Sequence, residues 1–251
     1  MNRRDMLLAT LGLLFLWQLA ALLLNQPILP PPTRVLATLW VETSSGNLGG
    51  HFLASLWRVI ASTLLAVLTA APAGLALGQF KRLNAFFSPI IYILYPIPKV
   101  VFVPVVLLFL GIGDLSKIAV IYLILFFQIL VLVRDQAAVL HPELIRSVRS
   151  LGAGRLALFR YVFLPASIPG VLTALRQSVG TAVAVLYVAE LFATQLGLGY
   201  YIYLNGSTLF NYPAMYAGVV AMSVLGLGLY FVVDGLQRLI CPWQFKNQPS
   251  G

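Results

Sequence analysis

The chain has 251 residues, of which 60% are hydrophobic and only 9% charged, whereas a soluble domain carries about a quarter charged residues. This excludes an ordinary soluble fold and makes lipid the solvent for most side chains. The formal net charge of +9 does not indicate a nucleic-acid binder. Arg3, Arg4, Lys81, Arg82, Arg134, Arg160, Arg238 and Lys246 fall in short stretches between or beside apolar segments, where positive charge fixes membrane orientation.

In chain order, residues 6–24 form an apolar run behind Asn2-Arg3-Arg4-Asp5. It exceeds the roughly 7–15 residues of a signal-peptide core and lacks a small-x-small cleavage site, so a retained first helix is expected, with a cleaved signal as the alternative. Residues 25–50, with Pro27, Pro30, Pro31, Pro32 and a Gly/Ser/Asn cluster, read as an extracytoplasmic loop. Further spans are predicted over 52–79, 86–110, 115–133, 168–191 and 213–236. Pro89, Pro96, Pro98 and Pro104 require the third to be kinked or interrupted. The stretch 192–212 is rich in Gly, Tyr and Asn and reads as a connection, and 237–251 is a short basic tail.

Six crossings return the C-terminus to the side of the N-terminus, which the Lys/Arg bias makes cytoplasmic; Arg34, Arg58 and Lys117 are the exceptions outside. The whole chain, 1–251, is then one transmembrane domain, with its core helices in 52–236. Ala174, Ser178 and Ala182, and also Gly218 and Gly226, present small residues that let helix backbones approach. No internal repeat marks the inverted symmetry of many secondary transporters. Cys241, the single cysteine, has no disulfide partner in the chain, and neither it nor His51 and His141 belongs to a metal-ligand cluster.

Residues 136–165 are too polar to cross a bilayer. Within them, 141–152 reads as a punctuated helix, with Pro142 and Glu143 in its first turn and Gly152 just past its end. Leu144, Ile145, Val148 and Leu151 fall on one face and Glu143, Arg146, Ser147 and Ser150 on the other. A second piece, 155–164, is expected to stop at Pro165. The residues alone leave two readings open: a hairpin that seats in a partner's groove, or an amphipathic helix resting on anionic lipid.

Gly152, followed after nine residues by Val162-x-Leu164-Pro165, resembles the EAA loop of binding-protein-dependent ABC importer permeases. Pro98-Lys99 with Pro104, Gly111-Ile-Gly113 with Ser116-Lys117, Pro142-Glu143-Leu144, Ala189-Glu190 and Gly197-Leu-Gly199-Tyr200 resemble its nitrate, sulfonate and taurine branch. The resemblance covers 51–243. It implies an all-α polytopic fold of the type I ABC importer permease, in a bacterial plasma membrane. It also implies a second permease copy, two cytoplasmic ATPase subunits and an extracytoplasmic solute-binding protein.

On that resemblance Glu143, Arg146, Ser147, Arg149, Gly152, Arg155 and Pro165 form the ATPase-coupling loop. The family's Glu-Ala-Ala is replaced here by Arg146-Ser147-Val148, which puts exchange with a relative's ATPase in doubt. The chain has no Gly-x4-Gly-Lys-Ser/Thr phosphate loop, so ATP and Mg are expected in the partner subunit and no cofactor in this one.

Ionisable groups at membrane depth are costly and mark candidate sites. Lys99 either faces the pathway and attracts an anion or bonds carbonyls structurally. Glu190 belongs to an outer gate or makes a packing hydrogen bond; Gln128 and Tyr187 are further pathway candidates. The expected solute is a small anion such as nitrate, a sulfonate, taurine or bicarbonate. A neutral aromatic vitamin precursor is the alternative within the family. Outside it, the competing readings are an ion-gradient transporter, a lipid-headgroup enzyme and a scaffold.

Overall fold

The computed structural model describes residues 3–139, 142–152, 154–192 and 194–244, and all regular structure among them is helical. The helices are α1 (Arg3–Leu24), α2 (Pro32–Ser44), α3 (Asn47–Gln79), α4 (Lys81–Leu94), α5 (Val103–Leu110), α6 (Asp114–Ala138), α7 (Pro142–Ser150), α8 (Arg155–Leu158), α9 (Leu164–Leu191), α10 (Leu198–Tyr203) and α11 (Tyr212–Ile240). A 3₁₀ turn, Lys99–Phe102, precedes α5, and π turns follow α8 and α10.

Four helical stretches are long and apolar enough to cross a membrane: α3, α6, α9 with the turn before it, and α11. Among the described residues, the α4–α5 pair, bent by 74°, passes the same test when its two helices are taken together. Helix α1 is shorter in its apolar part, Leu8–Leu24, and is apolar all round, with Leu8, Leu13 and Leu23 exposed by 68%, 68% and 76%. Such a helix needs lipid or a partner on every side.

Several segments differ from the sequence reading. The 25–50 loop contains α2, because Pro32 pre-sets the backbone of a first turn and Val35 is buried on one face. Helix α3 begins at Asn47 rather than 52. The 192–212 connection holds α10 and its π turn. The expected stop at Pro165 does not occur: α8 runs through the π turn Phe159–Phe163 into α9, whose second residue is Pro165. A proline here removes one N–H from the helical ladder, and the π turn immediately before it is where that ladder is already shifted.

The chain divides into two compact units. One is Met1–Leu56 with Glu190–Leu225. Here Gly218 lets α11 approach α10: a Cβ on it would lie 2.8 Å from side-chain atoms of Ile202 and Tyr201. The other is Trp57–Ala189 with Gly226–Gly251. Its core is the α3–α6 contact, where a Cβ on Gly74 would lie 2.8 Å from the Leu130 carbonyl oxygen. One on Gly78 would lie 2.7 Å from that of Arg134. Ile121, Leu125 and Ile129 of α6 are completely buried. The α9 row Ala174, Ser178 and Ala182 is 1% exposed at each position.

Candidate functional site

The candidate residues fall into three groups. In the first, α7 presents Glu143, Arg146, Ser147 and Arg149 to solvent. Glu143 is in the first turn and Arg149 in the last, the polarity that a helix dipole favours. Gly152 ends the helix with φ +82 and donates its N–H to the Arg149 carbonyl at 3.0 Å. An L-residue in that left-handed conformation costs about 1–2 kcal/mol. A Cβ at Gly152 would have open space around it, so backbone conformation rather than crowding requires glycine.

On the expected apolar face of α7, Val148 is half-buried and Leu151 is 84% exposed; the side chains of Leu144 and Ile145 lie outside the described residues. Arg155 opens α8, its side chain likewise outside the description, and Pro165 is exposed. Arg149 also borders a cavity of about 450 Å³ with Pro72, Leu75, Gln79, Leu158 and Phe163. The Gln79 side-chain amide donates to the Ala137 carbonyl at 2.6 Å, tying the end of α3 to the last turn of α6 just ahead of α7.

The second group is the α4–α5 break. Ending a helix at membrane depth orphans its last carbonyls, which cannot turn to water. The Lys99 ammonium donates to the carbonyls of Leu94, Tyr95 and Ile97 at 2.8, 2.9 and 3.2 Å and lies 4.5 Å from the centroid of the Phe127 ring. Its three protons thus cap the broken helix while the aromatic face stabilises the charge. Lys99 and Gln128, singled out separately in the sequence, line one cavity of about 370 Å³ together with Tyr95, Ile97 and Phe127. Gln128 is half-buried and makes no side-chain hydrogen bond among the described residues. Tyr187, half-buried on α9, is not among the residues lining this cavity.

The third group surrounds Glu190, which is completely buried. Its carboxylate accepts from the Ser55 hydroxyl at 2.8 and 2.9 Å and from the Gly199 N–H at 2.8 Å. The Leu198 N–H donates to Ser55 Oγ at 2.8 Å, and His51 Nδ1 accepts from the Gly197 N–H at 3.0 Å. One carboxylate on α9 therefore joins α3 to the start of α10, satisfying amides exposed by the 197–199 turn. His51 stacks 6.0 Å from the Tyr200 ring and belongs to this cluster.

Three further arginines are paired with aspartates. Arg58, 3% exposed, donates to Asp114 Oδ1 through Nη2 at 2.7 Å and Nε at 2.8 Å, rather than reaching for water. Arg176 and Arg238 both contact Asp234, at 3.2 and 2.9 Å. Sequence reasoning missed Ser55, since an isolated serine in an apolar run carries no signal. It also missed Gly74 and Gly78, although their four-residue spacing was readable.

Three comparisons bear on this arrangement. A family model described as "Binding-protein-dependent transport system inner membrane component" matches residues 47–246. The taurine transport system permease protein TauC of Escherichia coli (strain K12) is 32% identical, over 92% of this chain and 86% of that protein. The formylaminopyrimidine transport permease protein ThiX of Halalkalibacterium halodurans is 26% identical, over 94% of each chain. A solved chain from inward-facing MetNI, a methionine ABC transporter, superposes with a TM-score of 0.67 at 22% identity. It covers 75% of this chain and 93% of that one; at this identity the likeness is one of fold.

Proposed function

The chain belongs to the family of binding-protein-dependent transport system inner membrane components, and from that premise we propose how this permease subunit of an ABC importer assembles and works. Two copies form the translocation pathway, two ATPase subunits bind on the cytoplasmic side, and an extracytoplasmic binding protein delivers the solute. Each copy crosses the membrane six times: α1, the α4–α5 pair and the four long helices, with both termini cytoplasmic. ATP and Mg are held and used by the ATPases.

The observation that carries the coupling role is α7, a charged helix exposed along Glu143, Arg146 and Ser147 and ended by a left-handed Gly152. Linked directly to α6 and α9, it transmits motion of a bound partner into two long helices. Arg146 stands where the family carries glutamate, so the groove that receives it is matched to an arginine. Co-expressing the chain with the ATPase of a neighbouring gene tests this. A stable complex is expected, and it should weaken when Arg146 is changed to Glu. Failure to co-purify, or indifference to that reversal, contradicts docking through this face.

For the solute, similarity to a taurine permease supports a small sulfonate-bearing molecule. The geometry at Lys99 favours a second reading. With its protons directed at three carbonyls, the cavity offers aromatic surface and the Gln128 amide, groups that suit a neutral planar ring. Thermal shift of the cognate binding protein against taurine, alkylsulfonates, nitrate and pyrimidines separates the two.

A further inference from the structure

Helix α2 turns an apolar face outward. Leu36, Trp40 and Val41 are exposed by 54%, 78% and 58%; Leu36 and Trp40 stand one turn apart on one face, and Val41 lies about 100° round the helix from Trp40. Beside them on the helix, Leu39 and Thr43 line a groove of about 420 Å³ with Phe52 of α3 and with Ala221 and Val224 of α11. Ala221 and Val224 lie about 14–18 Å along α11 from its Tyr212 end. Helix α2 therefore packs alongside the apolar α11 rather than beyond its tip. It is also tied closely at both ends: residues 25–31 join it to α1, and Ser45 and Gly46 join it to α3. The last residues of α1, Leu22, Leu23 and Leu24, are likewise apolar and exposed, by 65%, 76% and 60%.

We infer that α2 lies in the membrane–water interface, with Leu36, Trp40 and Val41 embedded in phospholipid. A tryptophan is suited to that position, its ring in the acyl region and its N–H among headgroups, and an amphipathic helix binds there by burying one face. A second copy of the chain is a poorer occupant. The three side chains offer roughly 400 Å², about half of the ~800 Å² per partner that a stable interface buries.

The test uses the full chain in phosphatidylethanolamine/phosphatidylglycerol liposomes, with nitroxides at Leu36→Cys or Trp40→Cys in a Cys241→Ser background. Collisions with oxygen should exceed those with a water-soluble nickel chelate at both sites. Predominant nickel collisions would overturn the inference in favour of water. Loss of both collision types together with spin–spin coupling between copies would overturn it in favour of a protein interface. A label-free measurement runs alongside: lipids brominated near the headgroup should quench wild-type tryptophan fluorescence more than deeply brominated ones, and Trp40→Phe should lose that difference. An unchanged quenching profile in the Phe variant contradicts the inference.

Discussion

Lys99 illustrates how a residue type can be read correctly and its use left open. A lysine among four prolines in an apolar run marks an interrupted helix, and the break is present between α4 and α5. Sequence spacing alone does not decide whether the ammonium points into a cavity or back onto carbonyls, because that depends on where the break falls. With Leu94, Tyr95 and Ile97 as its acceptors, Lys99→Met should leave part-buried carbonyls without this donor, at about 1–3 kcal/mol in all. The variant is expected to lose thermal stability in detergent and to lose uptake of neutral and anionic solutes alike. A fully stable variant impaired only for anions would restore the pathway role.

Glu190 allows a finer distinction. Gln keeps an acceptor for Ser55 or Gly199, while Ala leaves both donors buried. Glu190→Ala should therefore cost about 2 kcal/mol more than Glu190→Gln in unfolding free energy, and equal losses in the two variants would remove the hydrogen-bonding account.

At the scale of elements, periodicity and composition made the long apolar helices legible, and turn chemistry made α7 and its glycine stop legible. They did not reveal α2 or α10. Each is short and surrounded by Pro, Gly, Ser or Asn, and each is stabilised by burial against distant helices, Val35 and Leu198 being 1% and 0% exposed. Nor did they reveal that α8 continues into α9, since a π turn absorbs the extra residue without a punctuation signal. The α3–α6 packing gives a direct prediction. Gly78→Val forces a side chain into the α6 backbone and should cost about 1–3 kcal/mol. Gly228→Ala, with no atom within 4 Å of the added Cβ, should be neutral or slightly stabilising. Thermal unfolding followed by size-exclusion chromatography would rank them, and a tolerated Gly78→Val would refute the close approach.

For the whole molecule, the family and the helical fold were legible because several spaced motifs agree across most of the chain. The solute was not: the one cation in the α4–α5 break, Lys99, is compensated locally by carbonyls, so its charge alone does not mark an anion site. The proposed coupling role rests on a backbone feature: Gly152 holds a conformation that an L-residue enters only at a cost of about 1–2 kcal/mol. The most direct test of the account is ATP-driven uptake in proteoliposomes holding the permease, its ATPase and its binding protein, comparing wild type with Gly152→Val. Uptake is predicted to fall by roughly tenfold or more, the equivalent of about 1.4 kcal/mol, while the isolated permease still folds and loses no more stability than the ~1–2 kcal/mol cost at that one residue. Undiminished uptake in the variant would contradict the assignment of this loop as the element through which ATP drives transport.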